Sequence, residues 1–349
     1  MKLIYSDDHK NHAGAKEMRY DKMIPMSESP ERPERMNFIM YGLSKAGFND
    51  IVEPTSHSLD VAYKIHDPKF VSFLERAYPL WEKEFGPGGF ATAYTFGMRG
   101  MAQTPNETIH SMLSCYTFDV CVPIVSGTWK AIRSAIDIAL TGVDLMQNDE
   151  TSVFSLCRPP GHHASSDLAG GYCYMNNAAI AAQAHLDFGA NRVALLDIDY
   201  HHGNGSQSIF YDRKDVLYTS LHARPEDEYP FLTGYSNEVG TGLGKGYNLN
   251  LPMPIGTAFD TYKSALETAL ERIKSYRPDV LVLSLGVDTF AGDPVGGFKL
   301  VSPDYSVIGK MIAQAQLPTH IIMEGGYAMD ALGTNVANVL AGFRDSEDF

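Results

Sequence analysis

The chain has 349 residues, enough for one large domain or two of about 150 residues each. Hydrophobic residues make up 44% and charged residues 20%, a globular balance that excludes disordered, fibrous and coiled-coil classes. Lys+Arg 28 against Asp+Glu 42 gives a net charge of −14, which argues against nucleic acid as a partner and favours a cationic small molecule over an anionic one.

From the N-terminus, Met1 to His9 carries no apolar stretch of signal-peptide length. The longest apolar run, around Val280 to Val287, is far too short to span a membrane, so a cytoplasmic protein with no membrane association is expected. Phe85–Phe118 is unusual: it is rich in Gly, Thr, Met and Tyr, carries only Arg99 and Glu107 as charges, and is longer than an ordinary connection. Such a segment is either a plain surface loop or one that frames an active-site mouth or a partner subunit. Beyond it, β-rich runs at Thr151–Leu156, Arg192–Ile198, Asp215–Leu221, Asp279–Leu285 and Thr319–Met323 alternate with helix-like stretches. Helices are expected over Ser126–Leu140, Asn176–Phe188 and Ala258–Tyr276, the second closed by Gly189 and the third halted before Pro278. This rhythm predicts an α/β fold, an open, mostly parallel sheet with helices on both faces. No repeat or Pro/Ser-rich linker marks a boundary, so a single domain over residues 1–349 is expected, with an inserted loop at about 85–118. Cys115, Cys121, Cys157 and Cys173 form no C-x-x-C pair and read as reduced thiols.

Chemistry-bearing residues cluster just after the strand-like runs. Phe154-Ser-Leu leads to Gly161-His162-His163, Ala194-Leu-Leu to Asp197-Ile-Asp199-Tyr-His201-His202, Val280–Leu285 to Gly286-Val-Asp288, and His320-Ile-Ile-Met to Glu324-Gly-Gly-Tyr327. In an open parallel sheet these carboxyl ends share one edge, so the residues can converge in one pocket. Asp199 and His201 alternate along a strand end and Asp288 offers a third ligand, a set that suits catalytic Zn2+, with Fe2+ or Co2+ also compatible. The competing expectation is that each Asp merely caps a helix. The His162-His163 pair is a candidate for proton transfer. Asp197 is a candidate acceptor for one imidazole and Asn204 for the other, and the imidazole facing the carboxylate is expected to protonate more easily. Tyr327, on a flexible Gly-Gly turn, reads either as a core tyrosine or as a donor to an oxyanion. Gly240–Gly246 lacks phosphate-loop spacing and is expected to be an ordinary loop.

These residues resemble the arginase–deacetylase superfamily, specifically its histone-deacetylase-like amidohydrolases, and among them the bacterial acetylpolyamine amidohydrolases. The resemblance rests on Arg32-Pro-Glu-Arg35, Arg158-Pro-Pro-Gly-His-His163, Gly170-Gly-Tyr-Cys-Tyr-Met-Asn-Asn177, Asp197-Ile-Asp-Tyr-His-His-Gly-Asn-Gly205, Ser220-Leu-His222, Gly286-Val-Asp288 and Glu324-Gly-Gly-Tyr327. Gly203, Gly286 and Phe290 stand where a binuclear ureohydrolase would need further carboxylates, so the resemblance implies one metal per chain. It implies Zn2+ on Asp199, His201 and Asp288, His163 as base and acid with His162 beside it, and Tyr327 opposite the metal across the substrate carbonyl. It also implies a structural K+ near Asp197, Asp199, His201, Ser220 and Leu221. The insertion at 85–118 resembles those that support a homodimer and narrow the entrance in the acetylpolyamine enzymes. Glu17 and Glu107 are then candidates for holding a distal ammonium, and Gly171, Tyr172 and Tyr229 for lining the channel. The expected substrate is an acetylated polyamine, the alternative an Nε-acetyl-lysine protein or peptide.

Overall fold

Asp67 accepts a hydrogen bond from the Lys69 amide and so starts the helix Pro68–Phe85, and Asn176 caps Asn177–Asp187 through the Ala179 amide. Thr108 caps a helix at Ile109–Tyr116, so the Gly- and Thr-rich segment is not loop throughout. The computed structural model describes residues 1–13, 28–98, 101 and 103–346, together with the backbone of 16–19 and 22–25.

The strands are β1 (Lys2–Ile4), β2 (Lys16–Arg19), β3 (Lys22–Pro25), β4 (Ile51–Val52), β5 (Ser152–Ser155), β6 (Val193–Asp197), β7 (Val216–Ala223), β8 (Asn248–Met253), β9 (Val280–Leu285) and β10 (Thr319–Met323). Strands β2 and β3 form an antiparallel hairpin. The other eight form one sheet in the order β4-β1-β5-β10-β9-β6-β7-β8. Every pairing in it is parallel. All five expected strand runs are present: β5, β6 and β9 are trimmed by a residue at one or both ends, β7 runs on to Ala223, and β10 is as expected; β1, β4 and β8 of the sheet and the hairpin β2–β3 are additional. Of the expected helices, Thr128–Gln147 runs a further two turns, while Asn177–Asp187 and Phe259–Tyr276 lie within a residue of expectation. The Gly240–Gly246 loop contains one 3-10 turn at Gly242–Gly244 and feeds β8.

Side-chain alternation divides the core between the two sheet faces. Val193 and Leu195 pack under the helices Pro68–Phe85, Thr128–Gln147 and Asn177–Asp187. Ala194 and Leu196 pack against Glu34–Lys45, Phe259–Tyr276, Ser302–Ala313 and Met329–Arg344.

The strands also end level. Ser155 pairs with Ile322, Ile322 with Ser284, Ser284 with Asp197, and Asp197 with Ser220. Because this row crosses five neighbouring strands, the loops carrying residues 157–163, 198–204, 286–293 and 324–327 all leave from one rim.

Candidate active site

At that rim Asp199 and Asp288 are buried, with relative exposures of 1% and 0%. Nδ1 of His201 lies 3.2 Å from Asp199 Oδ1 and 3.1 Å from Asp288 Oδ2. The remaining oxygens are engaged, since Asp199 Oδ2 accepts the Gly325 amide at 2.9 Å and Asp288 Oδ1 the Tyr200 amide at 2.8 Å. One donor atom from each residue thus faces a common point, all within 4.8 Å of one another. Among the described residues this is the one His, Cys, Asp or Glu group so arranged.

The donor set fits a small divalent cation: two oxygens and one imidazole nitrogen, closed by protein behind and open in front. A Cβ at Gly325 would collide with the carboxylates of Asp199 and Asp288, so only glycine leaves the cluster its room. The electrostatics agree. Burial, then the Asp199 charge, pushes Asp288 up to about 7. Burial opposes charge on His201, yet the two carboxylates outweigh it and hold its pKa well above the ordinary value. Positive charge is therefore drawn to this point.

His162 and His163 stand beside the cluster, their ring centroids 4.0 Å apart. His162 Nδ1 is 3.1 Å from Asp197 Oδ2, and His163 Nδ1 is 2.7 Å from Asn204 Oδ1. For His162, burial is outweighed by Asp199 and Asp197, which raise the pKa to about 10. For His163, burial acts first and the charges on His162 and His201 add to it, so its pKa falls well below the ordinary value. A carboxyamide partner cannot offset that loss, whereas a carboxylate can. Asp197 itself accepts from Tyr218 Oη at 3.0 Å and lies level with Ser220 of β7, whose hydroxyl is 2.8 Å from His222 Nδ1. Leu221 follows in the same buried strand.

Tyr327 completes the group. Its turn is fixed by Asp293 Oδ2, which accepts the Tyr327 and Ala328 amides at 2.7 and 3.0 Å. Arg35 donates to the carbonyls of Gly326 and Glu324 at 2.9 and 2.6 Å and lies 4.6 Å from the Tyr327 ring centre. Glu31 receives Arg35 and, on both oxygens, Arg158. Burial alone would raise the Glu31 carboxyl, but Arg158 and Arg35 hold it well below its usual range. Glu324 accepts the amides of Gly161 and His162 at 2.7 and 3.2 Å, so one carboxylate ties the Tyr327 turn to the histidine turn. Burial keeps the Tyr327 hydroxyl protonated despite the guanidinium beside it.

Above these groups lies a cavity of about 490 Å³. Tyr172 and Tyr327 meet edge to face at 6.0 Å, and Tyr229 packs against His163 at 5.0 Å. Gly171 has φ +53°, and a Cβ there would strike the His163 ring and the Tyr229 hydroxyl. Asp119, half-buried just after the insertion, accepts the Tyr229 hydroxyl at 2.6 Å and the Gly171 amide at 2.8 Å, fixing both walls. Among the described residues no lysine or arginine lines the cavity, and Glu228 is the one carboxylate that does.

Asp197, Asp199, His162, His163, His201, Asn204, Gly171, Tyr172, Tyr229, Asp288 and Tyr327 thus come together. Glu107 does not join them: its carboxylate is exposed and ion-paired with Arg76 at 2.8 Å, outside this cavity. The Glu17 side chain lies outside the described residues. Sequence inspection missed Asp119, Glu228 and Asp293 altogether. It met Arg35 and Glu324 only as motif letters, without their anchoring roles.

A cation-ready carboxylate–imidazole cluster at the carboxyl edge of an α/β sheet, flanked by a histidine pair and a tyrosine, is an arrangement suited to hydrolysis. The Histone deacetylase domain matches residues 29–343, and the chain belongs to that family as a hydrolytic deacetylase. It is 46% identical over 343 residues to Acetylpolyamine amidohydrolase 2 of Pseudomonas aeruginosa, covering 98% of each chain. It is 43% identical over 342 residues to the Acetylpolyamine amidohydrolase of Mycoplana ramosa, covering 98% of this chain and 99% of the other. The crystal structure of acetylpolyamine aminohydrolase from Burkholderia pseudomallei superposes with a TM-score of 0.91 at 34% identity, covering 99% of both chains.

The opposed environments of the two histidines predict a pH profile. A base held neutral below the usual imidazole range keeps working as pH falls. The acidic limb of kcat/KM is therefore expected below about 6.5, the ordinary histidine value. A midpoint at or above that value would mean that His163 is not the titrating base.

Proposed function

We propose that the protein is a zinc-dependent amidohydrolase that removes acetyl groups from acetylated polyamines such as N-acetylputrescine, acetylspermidine and acetylcadaverine, releasing acetate and the free amine. The observation that carries this proposal is the cavity: aromatic walls with no lysine or arginine among the described residues, ending on the Asp199–His201–Asp288 cluster. Full-length similarity to enzymes named for acetylpolyamines supports the choice of substrate.

Asp199, His201 and Asp288 would hold Zn2+, or Fe2+ or Co2+ in its place, one ion per chain, which when bound supplies Lewis acidity to the amide carbonyl and to the attacking water. His163 donates Nδ1–H to Asn204, which leaves Nε2 as its free base. That nitrogen takes the proton of the attacking water as oxygen bonds to the carbonyl carbon. It then returns the proton to the leaving nitrogen as the C–N bond breaks. His162, facing Asp197, stays charged and steadies the negative charge that develops. The Tyr327 hydroxyl donates to the oxyanion. A structural K+ near Asp197, Asp199, His201, Ser220 and Leu221 would brace the strand ends from behind.

We assign residues 1–349 to one catalytic domain in a cytoplasmic homodimer joined through the insertion. Supporting the dimer, Tyr94, Met98 and Met101 of that segment are 74%, 68% and 63% exposed. Among the described residues no helix is long and apolar enough to cross a membrane. Because Glu107 lies outside the cavity of its own chain, any part it takes in binding requires the two chains to associate.

The deciding experiment compares kcat/KM for N-acetylputrescine and acetylspermidine with that for acetyl-lysine peptides. Preference for the polyamines by at least about tenfold is expected, the effect of one good charged contact. Preference for peptides would instead assign a protein or peptide deacetylase. Tyr327→Phe is expected to lower kcat about 10²-fold. Turnover near that of the parent enzyme would remove the hydroxyl from the reaction.

A further inference from the structure

Glu228 sits in the loop that follows β7, one residue before the wall residue Tyr229, and lines the same cavity. Its Oε2 accepts the Tyr200 hydroxyl at 3.2 Å and its Oε1 the Tyr229 amide at 2.9 Å. Both donors are neutral. Among the described residues no Lys, Arg or His lies within ion-pair distance of it, and the nearby Arg224 is committed to Asp227 at 2.6 Å. A half-buried carboxylate is thus held in place with its charge uncompensated.

Its position relative to the chemistry follows from Tyr200. That ring stands edge-on to the His201 imidazole, centroids 5.0 Å apart, and its hydroxyl reaches Glu228. The carboxylate is therefore one tyrosine ring away from the metal cluster, along the cavity wall. Phe231, Ile255 and Gly297 make the neighbouring surface apolar. A Cβ at Gly297 would come within 2.6 Å of the Tyr200 hydroxyl oxygen and 3.2 Å of Ile255, so glycine keeps that stretch open. An apolar passage with a fixed, unpaired negative charge at its side complements a methylene chain ending in an ammonium. Partial burial makes such a contact stronger than a surface ion pair.

We propose that Glu228 receives the distal ammonium of the substrate and is the residue of this chain that selects amines over neutral acetamides. The proposal deepens the acetylpolyamine assignment and rests on it. Glu107 is less suited within one chain, because its charge is already spent on Arg76.

The test is the ratio of kcat/KM for N-acetylputrescine to that for N-butylacetamide, which has the same carbon chain and no ammonium. In Glu228→Gln, which keeps the acceptor for Tyr200 but not the charge, this ratio is expected to fall about tenfold or more, mainly through KM for N-acetylputrescine. Glu228→Asp, which keeps the charge, is expected to retain most of the preference and decides the matter if the Gln variant is too poorly folded to assay. A ratio unchanged in Glu228→Gln, or lost equally in both variants, overturns the role of Glu228. If the parent enzyme does not hydrolyse N-acetylputrescine, it is the substrate assignment that fails.

Discussion

Two buried carboxylates aimed at one point are the constraint around which the rest of this structure is arranged. Removing an ionised carboxylate from water costs several kcal/mol even after the protein relaxes. Asp199 and Asp288 carry that cost side by side. Backbone amides offset part of it, positive charge between the two would offset more, and His201 brings a nitrogen donor to the same point. The level strand ends supply the two carboxylates from β6 and β9, and the glycine at Gly325 leaves them space.

What surrounds the cluster serves to hold loops still. Glu31 gathers Arg35 and Arg158, and Arg35 grips the turn that carries Tyr327. Glu324 joins that turn to His162, and Asp293 joins it to the loop of Asp288. Each link is a buried carboxyl or guanidinium group on backbone amides or carbonyls, or a buried ion pair, so the site is pre-formed rather than assembled by substrate. Within this frame the Asp199 and Asp197 carboxylates outweigh burial at His162, while burial and the charges on His162 and His201 lower His163, so two adjacent imidazoles move in opposite directions.

Much of this was legible in the chain. The central strands could be read because they are covered on both faces and so appear as unbroken apolar runs; Val280–Leu285 is the clearest. The short strands β1 and β4 have too few residues to show a pattern, and β8 alternates asparagine with leucine in a run that looked like the end of a glycine loop. Asp199, His201, Asp288 and the histidine pair stood out because each follows a strand in a motif rich in glycine. Asp119, Glu228 and Asp293 did not, because each acts through contacts with residues distant in sequence: Asp119 with Tyr229, Glu228 with Tyr200, Asp293 with Tyr327. The acidic balance noted at the outset gains a location as well. Among the described residues, the negative charge in the cavity wall comes down to one glutamate.

The central claim is that Asp199, His201 and Asp288 form a single divalent-cation site on which hydrolysis depends. Metal content of the purified protein, measured by elemental analysis for the parent chain and for Asp288→Ala, tests it most directly. One divalent transition-metal ion per chain in the parent, and loss of both ion and activity in the variant, are predicted. Two ions per chain, or a variant that keeps its metal in full, would contradict it.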